Sequence, residues 1–134
     1  MMKEELKTGS KFDLEGRLID FSCRIIDIVE SLPNTRIGNH IASQLVRSGT
    51  SSAPNYGEAQ AAESRNDFIH KMKVALKELR ETYVWLRIVQ RKALVGSSAR
   101  LVAILTECNE LISIFVASIA TTKKNMARQG VRRS

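Results

Sequence analysis

Residues 44–86 read QLVRSGTSSAPNYGEAQAAESRNDFIHKMKVALKELRETYVWL, and their reading decides the fold. The run from Ser48 to Asn55 is made of poor helix formers, and Pro54 removes one backbone hydrogen bond and crowds the carbonyl of Thr50. Tyr56, Ala59 and Ala62 nevertheless keep a helical spacing. The segment therefore reads as a kinked continuous helix, in which small side chains admit a neighbouring backbone and serine hydroxyls satisfy freed carbonyls. Ser64 then stands three residues before Asp67, a variant of the capping box, just ahead of Phe68 and Ile69. Wound at about 100° per residue, Phe68, Met72, Leu76, Leu79, Tyr83 and Leu86 share one arc. That predicts a helix from Arg65 to about Lys92.

Outward from this stretch the pattern stays helical. Leu14, Leu18, Phe21, Ile25, Ile28 and Leu32 alternate in steps of four and three, the seam of a packed helix, and Pro33-Asn34 ends it. Ile37, Ile41 and Leu45 define one face of a second helix starting near Thr35 or Arg36. After a turn with a cap at Gly96-Ser97-Ser98, the last helix carries Leu101, Ile104, Leu105, Cys108, Leu111, Ile112, Phe115 and Ile119. The expectation is an all-α antiparallel up-down-up-down four-helix bundle over residues 12–121. Residues 1–11 read as a disordered N-terminal segment and residues 122–134 as a basic flexible tail.

Composition supports this and narrows the function. The chain has 134 residues, enough for one domain, and only two prolines and seven glycines to interrupt helices. Its net charge of +7 suggests an anionic partner. The charge is uneven: residues 12–32 carry five acids against two arginines, whereas residues 71–100 carry eight cations against two acids. Cys23 and Cys108 fit no metal motif and read as reduced packing cysteines. The N-terminus lacks the apolar core of a signal peptide, and no run approaches the roughly 18 apolar residues of a membrane span. A cytoplasmic protein with no membrane role is expected.

Lys73, Lys77, Arg80, Arg87 and Arg91 are spaced four, three, seven and four apart. On a helix they fall within about 80° of one another along about 27 Å. Aligned cations repel, so folding gains nothing from the arrangement, whereas a polyanion does gain by releasing counterions. RNA or DNA phosphates, an acidic protein and a merely solvated face all fit this stripe. Contact would be to the nucleic-acid backbone, because no aromatics interleave it. Val74, Trp85 and Ile88 form a second apolar strip, expected either to contact another subunit or to flank the core. Catalysis finds little support. His40 and His70 are not at metal-ligand spacing, and Glu58 with Glu63, or Glu78 with Glu81, are ordinary helix acids. Ser48, Ser51 and Ser52 lack a recognisable base. Neither metal nor cofactor is expected, nor enzymatic activity.

Arg47-Ser48-Gly49-Thr50-Ser51, Asn55, Glu58-Ala59, Ser64-x-x-Asp67-Phe68, Ala75-x-Lys77-Glu78 and Tyr83-x-Trp85-Leu86 appear in that order. The chain thereby resembles a family of small bacterial four-helix-bundle proteins, over about residues 12–120. Some of its members are encoded in intervening sequences of large-subunit ribosomal RNA genes and were formerly labelled ribosomal proteins. The resemblance implies assembly into a ring, a homopentamer. It also implies a polar network of Arg47, Asn55 and Glu58 within or between subunits. More distantly it is similar to accessory variability proteins of retroelements, in which a basic barrel is thought to engage a reverse transcriptase and nucleic acid.

Overall fold

The computed structural model describes residues 13–133, all of whose regular structure is helical. The expected disordered segment at residues 1–11 lies outside the described residues. Helix α1 spans Leu14–Glu30, α2 Arg36–Gly49, α3 Ser52–Gln60, α4 Arg65–Arg91 and α5 Ser98–Arg133. With α2 and α3 counted as one bent rod, they form a four-helix arrangement.

Local chemistry places the helix starts. Asp13, Thr35 and Ser64 each accept a hydrogen bond at 3.0 Å from the backbone N–H three residues on, capping α1, α2 and α4. In the corner before α2, a Cβ on Gly38 would collide with the carbonyl oxygen of Pro33, so this tight turn needs glycine. At the end of α4, Ala93 adopts a positive φ of 52°, Leu94 N–H reaches Val89 O at 3.0 Å, and Ala93 N–H reaches Gln90 O at 3.1 Å. This is a Schellman ending with alanine where glycine is usual.

The expected continuous kinked helix is instead interrupted at Thr50 and Ser51, and Pro54 falls in the first turn of α3, where its missing N–H costs no helical bond. Thr50 N–H still bonds Val46 O and Asn55 N–H bonds Ser51 O, while Thr50 and Ser51 stand between the two helices. Side chains satisfy the carbonyls there: Thr50 Oγ1 donates to Val46 O, Ser51 Oγ to Ser48 O and Asn55 Nδ2 to Ser51 O. Gly49, Ser48 and Ser52 are buried at the bend.

The core joins Leu18, Phe21, Ile25 and Ile28 of α1 to Ile41 and Leu45 of α2, with Met72, Leu79 and Leu86 of α4 and Ile104, Leu111 and Phe115 of α5. Helices α1 and α4 each pack on α2, α3 and α5 and share no comparable contact with each other. They occupy opposite corners of the bundle.

Three further expectations need correction. Ile37 is exposed rather than sharing the buried face of Ile41 and Leu45. It lies in the first turn of α2, where no neighbouring helix covers it. Cys23 is exposed, because a residue two positions after core Phe21 points about 200° around the helix. The basic segment from residue 122, expected to be flexible, continues α5 as helix to Arg133. Its Lys, Met, Ala, Arg and Gln are good helix formers, and Met126 packs on the core. Helix α5 is also long and apolar enough to cross a bilayer, although no unbroken apolar run marks it in the sequence. One apolar side is the bundle core, while the outer side exposes Val102 and Val116 together with Asn109, Glu110 and Ser113.

Candidate nucleic-acid interface

With Met72, Ala75, Leu79, Thr82, Leu86 and Val89 turned inward, helical geometry leaves Lys73, Lys77, Arg80, Arg87 and Arg91 outward. All five are exposed. Among the described residues, none of them joins an ion pair. The ion pairs are Arg17 with Glu107 and Glu110, Arg47 with Glu78 and Glu81, and Lys71 with Glu58.

The reason the stripe stays uncompensated is visible on α2. Glu78 and Glu81 are the only acids between Lys71 and Arg91. Both are turned away from the stripe: Arg47 donates from Nη1 to Glu78 Oε1 at 3.0 Å and from Nη2 to Glu81 Oε2. Trp85 Nε1 also donates to Glu81 Oε2, at 3.2 Å. The two carboxylates are held in the α2–α4 seam, and the cations one face away have none to meet.

The structure adds residues that sequence reasoning missed. Lys123 of α5 lies beside Lys73, which by its side-chain contact and then by charge repulsion holds the Lys123 ammonium below the ordinary lysine range. Nothing local in the sequence signals this, since the two are joined only by packing of α4 on α5. Val84 is 55% exposed within the stripe, and Ile88 is 36% exposed beside it. Val84 could be found from spacing, because Lys77, Val84 and Arg91 follow one another at intervals of seven, whereas Ile88 was already expected in the second apolar strip. Val84, Arg87, Ile88 and Arg91 line a shallow groove of about 200 Å³. The Arg87 guanidinium also lies 5.9 Å from the centre of the Tyr83 ring. Tyr83 therefore borders the stripe, contrary to the expectation of no aromatic there. It is already engaged by Arg87 and by Asn109 Nδ2, which donates to its hydroxyl at 3.3 Å.

The other expected groups are separated. Of Val74, Trp85 and Ile88, only Ile88 stands out to solvent. Val74 is half-buried, and Trp85 packs on the core with its ring edge-on to His40 at 5.9 Å. Arg47, Asn55 and Glu58 do not meet one another: Arg47 holds Glu78 and Glu81, Asn55 caps the Ser51 carbonyl, and Glu58 pairs with Lys71 at 2.9 Å. His70 is exposed on α4. Cys108 is buried, and burial pushes its thiol up to about 12. Among the described residues, no cluster of three or more His, Cys, Asp or Glu is placed to hold a metal.

The model of the 23S rRNA-intervening sequence protein family matches residues 12–117. A crystal structure of a protein of unknown function from the S23 ribosomal protein family of Bacteroides thetaiotaomicron is 31% identical, with a TM-score of 0.72. The match covers 78% of this chain and 96% of that one. No curated protein matches.

Proposed function

The chain belongs to the 23S rRNA-intervening sequence protein family, and from that premise we propose that it is a non-enzymatic oligomeric scaffold whose basic face binds nucleic-acid phosphates without sequence choice. One observation carries the reading: five exposed cations line α4 while the two nearby acids are held elsewhere by Arg47. Such an arrangement costs folding energy through repulsion and is relieved by a polyanion. The chemistry is phosphate neutralisation by ammonium and guanidinium groups, with RNA and DNA both acceptable.

The scaffold is an antiparallel up-down-up-down bundle. Supporting that course, Arg17 near the start of α1 reaches Glu107 within α5, while Arg100 near the start of α5 reaches Ser31 beyond the end of α1. Copies assemble into a ring, a homopentamer, in the cytoplasm. A second reading, a structural or protein-docking ring with no nucleic-acid role, is favoured by Val84 and Ile88 exposed among the arginines.

Filter binding of RNA and of duplex DNA at low salt tests the proposal. Lys73→Glu/Lys77→Glu is expected to weaken both by tenfold or more. Undiminished binding of both would leave the docking ring as the surviving reading.

A further inference from the structure

The basic stripe has two chemically different halves. Lys73 and Lys77, joined by Lys123, form a lysine half with no exposed apolar residue between them. Arg80, Arg87 and Arg91 form an arginine half set around Val84 and Ile88. Lysine offers a compact point charge to phosphate, whereas the planar guanidinium matches a carboxylate at two points. Exposed β-branched residues among arginines suit a protein surface better than a nucleic-acid backbone.

The matching surface is on the same chain. The outer face of α1 exposes Ile19 at 49% and Ile26 at 43%, with Cys23 exposed between them. Glu15, Asp20, Asp27 and Glu30 are exposed along the same helix, and none of their side chains joins an ion pair among the described residues. Of the two cations on α1, Arg17 is occupied by Glu107 and Glu110, and Arg24 is only half-exposed, in a groove shared with Asp27 and Arg100 at the edge of this face.

The charges agree in spacing: Asp20 and Asp27 are one heptad apart, as are Arg80 and Arg87. Each interval is about 10.5 Å of helix.

From these observations we infer that the arginine half of α4 binds a second copy of this chain, receiving the outer face of its α1. The inference deepens the self-association in the reading above and does not depend on phosphate binding. Because α1 and α4 sit at opposite corners of the bundle, the two faces point apart and one molecule cannot satisfy both itself. A pair of molecules joined this way leaves one face of each kind free, so a third copy follows. The contact is heterologous, and it closes into a ring or propagates. The lysine half stays free for phosphate.

Light scattering after a high-salt wash to remove nucleic acid reads the assembly. Asp20→Arg/Asp27→Arg and Arg80→Glu/Arg87→Glu should each drop to the mass of one chain with helical circular dichroism retained. Mixing the two variants should restore association, since each then offers the face the other lacks, although an odd-membered ring cannot alternate them and the product is an open or even-membered assembly. Combining all four substitutions in one chain should restore it too. Should either charge variant lose its helicity, Val84→Ser/Ile88→Ser removes the apolar centre of the contact and should also give single chains. A wild-type protein of single-chain mass, charge variants of unchanged mass, or a mixture that stays dissociated would each overturn the inference. Lys73→Glu/Lys77→Glu, which scores phosphate binding, should keep the wild-type mass. A fall there would move the contact to the lysine half and overturn the assignment.

Discussion

Gly49 at the end of α2 and Ile25 in the middle of α1 stand so close that a Cβ on Gly49 would lie 2.6 Å from Ile25 Cγ2. Ile25 is fully buried, so its side chain has no room to retreat. This is the close approach that the small-residue run around Pro54 permits. Gly49→Ala should therefore destabilise: overpacking costs about 1–3 kcal/mol, against about 1 kcal/mol gained in helix propensity. Thermal melts by circular dichroism check it. Adding Ile25→Ala removes the atoms in the way, so the double variant should lose less than the sum of the singles.

Ala93 gives the opposite sign. Its φ of 52° is a left-handed conformation that penalises a Cβ by about 1–2 kcal/mol. Ala93→Gly should raise the melting temperature by a few degrees, corresponding to about 1 kcal/mol after glycine's greater unfolded-state freedom is deducted. A lower melting temperature would mean the Schellman ending does not form.

Buried hydroxyls at the bend differ in the same testable way. Thr82 Oγ1 donates to the Glu78 carbonyl at 2.7 Å and shares a hydrogen bond of 2.9 Å with Ser48 Oγ, whereas Ser52 Oγ is buried without a hydrogen-bond partner among the described residues. Ser48→Ala should cost about 1–2 kcal/mol, and Ser52→Ala should be neutral or stabilising by up to about 1 kcal/mol. Equal losses in urea titrations would contradict the difference.

How much of this was legible follows from where each signal sits. Local signals worked: the Ser64 cap and the apolar arc bounded α4 to within one residue of its observed end, and the poor helix formers around Pro54 marked an irregularity, although the break at Thr50 and Ser51 replaced the expected continuous kink. Signals needing two distant helices did not work. The Arg47 clamp on Glu78 and Glu81 depends on α2 lying against α4, and the place of Lys123 beside Lys73 depends on α5 lying against α4. Trp85 was left between a subunit contact and the core flank because helical angles measured from one core arc ignore the second neighbour, whose His40 meets its ring. Ile37 misled for the converse reason, since the pattern marks a face without marking where the neighbouring helix ends.

The two cysteines should behave differently toward an aromatic disulfide reagent. Cys108 is buried with its thiol pushed up to about 12, so near pH 8 it remains protonated and inert, and it should label only on unfolding. Cys23 is exposed on α1 and should label readily in dissociated protomers such as Arg80→Glu/Arg87→Glu. In the wild-type assembly, where a neighbouring copy covers that face, its labelling should be slower. Two thiols labelling at equal rates in folded, dissociated protomers would contradict the burial of Cys108.

The most direct measurement is the salt dependence of nucleic-acid affinity. For duplex DNA, the slope of log affinity against log salt concentration steepens by about 0.9 for each phosphate neutralised. Wild-type protein should show a steep slope that differs little between unrelated sequences. Lys73→Glu/Lys77→Glu should flatten it by about 0.9 for each phosphate left without its lysine. No binding at low salt, or a slope that the double substitution leaves unchanged, would contradict a phosphate-binding face on α4.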